Sequence, residues 1–410
     1  MNTTASLYFC PSTALNLSKY SAHVEHSRMQ HKLNITSKKR TSVLPWRGQF
    51  SPELIEYLLD EAGQHARTIL DPFCGSGTVN YEAAHKKKAS LSFDINPAAV
   101  CLARISEVCK IAPKERFKII KKFEYFIEIL IQTSSKNKGT LSLDSAIEIV
   151  KKNEYDIPIE LQEAFLLLIF GNNNDIVTAK IAKYSSTYKD TLLNIPYFDG
   201  NITVSMGDAR YLTGVKSGSI DFIVTSPPYI NVFNYHQNYR PVVEALGYNP
   251  LHASKAELGA NRKFRQNRYM TVIQYCMDMA LFFVESARIL SENGKMTIVI
   301  GRESSVRGVS FKNGELIAAI ASEGMGWRIK KWNERVFTNR FGEKIVEDVI
   351  TLISKTFAPD AAIQVGNLVG CESLHRALNN APHPQNTEIE SAIQAAKSIK
   401  PSPKLAVKND

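Results

Sequence analysis

The chain has 410 residues, 44% of them hydrophobic, which suffices for one large core or two domains. Its formal net charge of +10 favours an anionic partner, most simply nucleic acid. The six cysteines include no CxxC pair, which argues against a zinc ribbon or a disulfide framework, and no apolar run reaches the roughly 20 residues of a membrane span.

Residues 1–44 are polar and basic without sustained periodicity, and read as a flexible arm. Cys10, His23, His26 and His31 lie near one another there, but their spacing matches no metal-ligand pattern, so no metal is expected. The first 20 residues also lack the charged start and apolar run of a secretory signal. A helix follows in FSPELIEYLL, with Ser51 as N-cap and Pro52 at the first helical position.

From Thr68 the pattern is strand, glycine turn, helix from Val79, strand from Ser90 and helix from Pro97. That β-α-β-α unit begins a Rossmann-like, doubly wound, mostly parallel sheet. Residues 111–199 break the alternation with lysine-rich helical periodicity and no strand signal, and read as a helical insertion. Strands resume at Ile202 and Ile220. A long helix runs from about Tyr269, a strand starts at Lys295, a helix follows in ELIAAIASEG, and WRIKKW and VEDVITLIS suit an antiparallel edge pair. The sheet domain therefore comprises 45–110 and 200–356. Residues 357–410, polar and punctuated by Pro, Asn and Lys, read as a disordered tail.

The first chemical signal is DPFCGSGT, Asp71 to Thr78, which joins a strand to a helix. Gly75 and Gly77 permit a tight turn and close approach of backbone to a ligand. The next strand ends in Asp94, an acid placed to accept hydrogen bonds from ribose hydroxyls. These features point to an adenosine-containing cofactor, and a dinucleotide stays open, although Phe73, Gly75 and Gly77 form FxGxG and not GxGxxG. Asp208 ends a third strand, where it suits either an adenine amino group or a turn cap. The strand from Ile220 runs into TSPPY, Thr225 to Tyr229, whose two prolines end the strand and fix a rigid loop facing the same cleft.

Together these segments resemble the amino-methyltransferases that act on exocyclic amines of DNA bases, with hallmarks FxGxG and (D/N/S)PP(Y/F/W). The resemblance covers about residues 45–110 and 200–355. It implies the class I methyltransferase fold and S-adenosylmethionine as cofactor, with Phe50, Ser51, Asp71, Phe73, Gly75, Gly77, Thr78, Asp94 and Asp208 as binding residues. Ser226, Pro227, Pro228 and Tyr229 would be catalytic. Ser226 and the Pro227 carbonyl would accept the amine hydrogens, and Tyr229 would stack on a base rotated out of the duplex. Direct transfer would then rest on positioning. No Pro-Cys dipeptide occurs, which sets aside covalent chemistry at cytosine carbon-5.

Serine at the head of the loop is commoner in members that modify N4 of cytosine, so that base is expected first and N6 of adenine second. Double-stranded DNA is the implied partner, with a cognate restriction enzyme beside it, in the cytoplasm of a bacterium or archaeon. The helical insertion lies earlier than this family's usual recognition domain. The candidates for the DNA reader are therefore that block, the stretch KAELGANRKFRQNRY with Arg262, Lys263, Arg265 and Arg268 as phosphate contacts, or a combination of the two. Tyr235, His236, Tyr239 and Arg240 either line the base pocket or cap the next helix. SSVRGVSFKNGELI also looks like family members, without a role that chemistry assigns. The competing readings are an RNA base methyltransferase, a non-catalytic binding subunit and a nucleotide-binding oxidoreductase.

Overall fold

A computed structural model describes residues 30–35, 40, 42–152, 156–230, 235–260, 264–339, 342–380 and 383–405. Cys10, His23, His26, Arg262 and Lys263 lie outside the described residues. Of the expected N-terminal arm, α1 (Gln30–Asn34) and the stretch from Ser42 are described, and Leu33 and Leu44 are buried in the fold.

The chain continues through α2 (Pro52–Glu61), β1 (Thr68–Asp71), α3 (Thr78–His85), β2 (Ala89–Asp94) and α4 (Pro97–Arg104). The insertion follows: α5 (Pro113–Lys136), β3 (Thr140–Ser142), α6 (Leu143–Lys152), α7 (Ile159–Phe170), β4 (Asp175–Val177) and α8 (Thr178–Asn194). Then come β5 (Ile202–Met206), β6 (Ile220–Thr225), α9 (Arg240–Ala245), α10 (Pro250–Ala256), α11 (Met270–Ile289) and β7 (Leu290–Gly301). The remainder is β8 (Glu303–Val306), β9 (Val309–Lys312), α12 (Asn313–Ala318), β10 (Arg328–Thr338), β11 (Lys344–Ile353), α13 (Pro359–Leu378) and α14 (His383–Gln394).

Seven strands form one sheet in the order β10-β11-β7-β6-β1-β2-β5. Strands β5, β2, β1, β6 and β7 run parallel, and β11 and β10 close the edge antiparallel. This is the doubly wound, mostly parallel sheet that the alternation predicts. The chain winds outward from β1 to β2 and β5, then returns to place β6 on the other side of β1. The order therefore reverses between β1 and β6, which opens a crevice at their carboxyl ends.

The insertion carries a short antiparallel pair, β3 with β4, that the sequence does not signal. Three-residue strands are too short to show a period of two. It shares a core with α3 and α4, through Tyr81, Ala98, Cys101, Phe123, Phe165 and Leu166 among others. Glu163 of α7 accepts hydrogen bonds from Tyr248 at 3.2 Å and from Cys101 at 3.5 Å, which ties the insertion to α4 and to the segment after the TSPPY loop.

The expectation of a disordered tail from 357 is corrected. Helix α13 packs along α11 and buries Ala362, Val365, Val369 and Leu374. Its apolar stripe is made of small residues, so hydropathy alone understates it. Gly366 brings the backbones together: a β-carbon there would lie 2.5 Å from the Cys276 carbonyl oxygen. The SSVRGVSFKNGELI segment is the β8–β9 hairpin running into α12. Asn313 donates to the Gly301 carbonyl at 2.8 Å and to Ser304 Oγ at 2.9 Å, so the hairpin buttresses the end of β7. Among the described residues no helix is long and apolar enough to cross a membrane.

Candidate active site

The crevice is lined by Phe73, Gly75, Thr78, Asp94, Ile95 and Asn96 on one side and Ser226 to Tyr229 on the other. Cys74, Trp46 to Phe50, Tyr235, Glu257 and Leu258 complete it. The two motifs recognised in sequence therefore meet at the switch point of the sheet.

The glycine turn works as its sequence suggests. Gly75 has φ +52°, and its N–H donates to Asp94 Oδ2 at 3.1 Å. A β-carbon at Gly75 would lie 2.7 Å from the Trp46 ring, so the turn and the segment before α2 are fitted to each other. Asp94 Oδ1 accepts the Asn96 N–H at 2.9 Å, and Asn96 in turn caps α4 by accepting from the Ala98 N–H. Burial pushes the Asp94 carboxyl up to about 6; the N–H donors pull it down, and the charge of Glu257 pushes it up again.

Four expected residues stand outside the lining. Ser51 heads α2, where its carbonyl oxygen accepts the Leu54 N–H at 3.1 Å. Gly77, with φ +82°, precedes α3 and packs against Ala103. Asp71 lies at the end of β1, 1% exposed, and accepts from Thr225 Oγ1 at 2.6 Å and from the Phe73 N–H at 3.2 Å. Asp208 is turned from the crevice to Arg210, whose Nε and Nη2 donate to its two oxygens at 2.9 and 2.7 Å. Arg210 also binds Asp278 at 2.5 Å and the carbonyls of Ser402 and Pro403, both at 2.9 Å. The expectation that Asp208 faces the ligand is thus corrected, because a buried arginine two residues on claims its carboxylate.

In the TSPPY loop, Tyr229 is partly buried with its ring against Gly301, where a β-carbon would lie 2.8 Å from the ring. Burial raises its hydroxyl above the usual tyrosine range; the charge of Glu347 adds to this, and a hydrogen bond with Ser226 partly offsets it. Trp46 stacks with Tyr235 (centroids 6.4 Å, 10° between planes) and with Tyr239 (6.3 Å, 14°). Tyr235 thus lines the crevice, and Tyr239 supports the tryptophan that does. His236 is buried beside Glu257 and does not line the crevice.

Sequence reasoning did not single out Trp46, Asn96 or Glu257. Trp46 and Asn96 adjoin recognised motifs and were within reach of a closer reading. Glu257 lies 28 residues past Tyr229 in sequence and has no local signal.

The D12 class N6 adenine-specific DNA methyltransferase family matches residues 49–296, a span that contains both motifs. A Type II methyltransferase, M.MjaII of Methanocaldococcus jannaschii, is 27% identical over 133 residues, 30% of this chain and 24% of that protein. The match thus spans about a quarter of that relative's length. Solved structures of similar outline include a SAM-dependent methyltransferase from Methanosarcina mazei (12% identity, TM-score 0.33, 71% of this chain and 93% of that one). The rRNA methyltransferase aviRa from Streptomyces viridochromogenes is another (12% identity, TM-score 0.34, 84% of this chain and 100% of that one).

Proposed function

We propose that this chain, which belongs to the D12 class N6 adenine-specific DNA methyltransferase family, transfers a methyl group from S-adenosylmethionine to an exocyclic base amine in DNA. N6 of adenine is the first reading. The observation that carries it is the convergence of the glycine turn, Asp94 and the Ser226–Tyr229 loop on one crevice, inside the span that matches the family.

The residues present fit the methyl donor. Gly75 keeps the turn free of a side chain that Trp46 would meet. Asp94 is a half-buried acceptor suited to ribose hydroxyls, and Phe73, Ile95 and Leu258 offer apolar walls. When bound, S-adenosylmethionine supplies an electrophilic methyl on a sulfonium sulfur. Phe50, Phe73, Gly75, Thr78 and Asp94 are the residues assigned to hold it. Ser51, Asp71 and Gly77 support it from behind, as N-cap, strand-end anchor and turn.

A base amine is a poor nucleophile because its lone pair is delocalised into the ring. Ser226 Oγ and the Pro227 carbonyl are placed at the head of the loop to accept the amine's hydrogens. Pro228 holds that carbonyl in a fixed direction. Tyr229, packed on Gly301, presents an aromatic surface for a base taken out of the stack. Positioning and exclusion of water are this chain's share of the reaction.

Ser226 favours a second reading, N4 of cytosine. The insertion 111–199 is the assigned DNA-reading element. On α5, Phe117 and Tyr125 are 57% and 54% exposed, and Lys114, Lys118 and Lys121 lie on the same helical face, a pattern suited to a phosphate backbone. A restriction–modification role with a partner nuclease is supported by the likeness to a Type II methyltransferase.

Transfer of labelled methyl to mixed DNA and RNA, followed by nucleoside mass analysis, tests the reading. N6-methyladenine in DNA, lost in Pro228→Ala, is expected. N4-methylcytosine would select the second reading, and label in RNA alone would overturn both.

A further inference from the structure

The crevice has an acidic interior. Among the described residues its lining holds two carboxylates, Asp94 and Glu257, and one arginine, Arg47, which is exposed. Cys74 is also in the lining, but burial lifts its thiol well above the ordinary range, so it adds no charge there.

Glu257 is 5% exposed, between α10 and α11, and its place is fixed from several sides. The His236 N–H donates to Oε1 at 3.0 Å, and His236 Nδ1 lies 3.0 Å from Oε2. The preceding carbonyl, of Ala256, accepts from Arg210 Nη2 at 3.4 Å. So Arg210, which turns Asp208 away from the crevice, also pins the segment that brings Glu257 into it. The two acids sense each other: after burial and the N–H donors, the charge of Glu257 is what holds Asp94 up. Tyr235 is pushed up to about 12 by burial, and by the charges of both.

Two carboxylates sharing a poorly hydrated cleft gain from a cation between or beside them. S-adenosylmethionine carries a positive sulfur, and its demethylated product carries a neutral thioether; the rest of the two molecules is alike. We propose that Glu257 sets the preference of this crevice for the cationic methyl donor over the spent thioether, and so favours exchange of one for the other after each transfer. The inference rests on the reading of the crevice as the donor site. It gives Glu257 an electrostatic role toward that ligand that the family motifs do not assign.

The test is direct binding of S-adenosylmethionine and of S-adenosylhomocysteine, by calorimetry, to wild type, Glu257→Gln and Glu257→Asp. Measurement at about pH 8 stays above the range in which an ordinary imidazole carries charge. Glu257→Gln should weaken the donor about tenfold and the thioether less than about twofold. Glu257→Asp, which keeps the charge, should retain most of the preference even where it weakens both ligands. Equal losses for the two ligands in Glu257→Gln, or a preference lost equally in Glu257→Asp, would overturn the electrostatic role. Wild type that binds neither ligand would overturn the donor-site reading and this inference with it, a result distinct from an unchanged ratio.

Discussion

Thr225 donates its hydroxyl to Asp71 Oδ1 across 2.6 Å, which joins the last residue of β6 to the last residue of β1. The bond spans the point where the strand order reverses, and Ser226 follows immediately. The same carboxylate oxygen accepts the Phe73 N–H at the start of the glycine turn. Asp71 thus couples the two halves of the crevice without lining it. Thr225→Val keeps the shape and removes the donor from a carboxylate that is 1% exposed. It should cost about 1–3 kcal/mol in urea unfolding, with a loss of transfer rate exceeding the loss of donor affinity.

Burial raises the Asp71 carboxyl from 3.8 to about 7, against the hydrogen bonds from Thr225 and Phe73 that lower it. The folded value lies above the unfolded one. The stability this group contributes is therefore complete below about pH 4 and is lost as pH rises through about 7. In that window the wild type should lose up to about 1.4 kcal/mol per pH unit from this group. Asp71→Asn keeps an oxygen for Thr225 and removes the titration. Urea unfolding of both proteins at several pH values should show the variant gaining on the wild type toward neutral pH; parallel curves would refute the assignment.

Arg210 is fully buried, and its guanidinium binds Asp208, Asp278 and the carbonyls of Ser402 and Pro403. Burial alone would lower its pKa, and the two aspartates more than offset that. Ser402 also donates its N–H to Asp278 Oδ1 at 2.8 Å. Arg210→Ala leaves two buried carboxylates without their cation and should cost about 3–5 kcal/mol. Truncation before Ser402 keeps the ion pairs of Arg210 with Asp208 and Asp278 and removes the Ser402 and Pro403 carbonyls together with the Ser402 and Leu405 donors to the two carboxylates, so its midpoint in urea should fall between those of wild type and Arg210→Ala.

The exposed face of α5 offers a test of the DNA-reading assignment. Among the described residues Lys114 and Lys121 form no ion pair, and Lys118 pairs with the exposed Glu115 at 2.9 Å. Each lysine that meets a phosphate releases a counterion, so affinity falls with salt in proportion to their number. Replacing all three by Gln should lower the slope of log affinity against log salt by about 2–3, with methyl transfer to a saturating oligonucleotide little changed. An unchanged slope would move the DNA contact elsewhere.

The parts of this protein legible in its sequence are those set by neighbours in the chain. Strand, glycine turn and capped helix follow from local pattern, which is why Gly75, Asp94 and Ser226–Tyr229 were found and do line one crevice. Asp208 shows the limit of that logic. Its position at a strand end is right, but the direction of its carboxylate is set by Arg210, whose burial depends on α11 and the chain near 402. Glu257 was invisible for the complementary reason: only folding brings its segment beside Asp94. Helix α13 escaped notice because Gly366 and Gly370 weaken it in isolation and are useful only against α11.

Gly301 ends β7 beneath the ring of Tyr229, with the β8–β9 hairpin holding its carbonyl through Asn313. A β-carbon there would stand 2.8 Å from one ring carbon and 3.3 Å from two more, a separation that requires the ring to move. Gly301 is not among the glycines of positive φ, so alanine adds a steric effect with no backbone strain. The proposed donor site, around Gly75 and Asp94, lies across the crevice from this loop. Gly301→Ala should therefore leave affinity for S-adenosylmethionine within about twofold and lower the rate of transfer by about tenfold or more, since misplacement of a positioning group by a fraction of an ångström costs rate before it costs binding. Single-turnover transfer measured beside donor calorimetry separates the two. A variant that loses donor binding, or that transfers at the wild-type rate, would show that the Tyr229 ring does not set the position of the base.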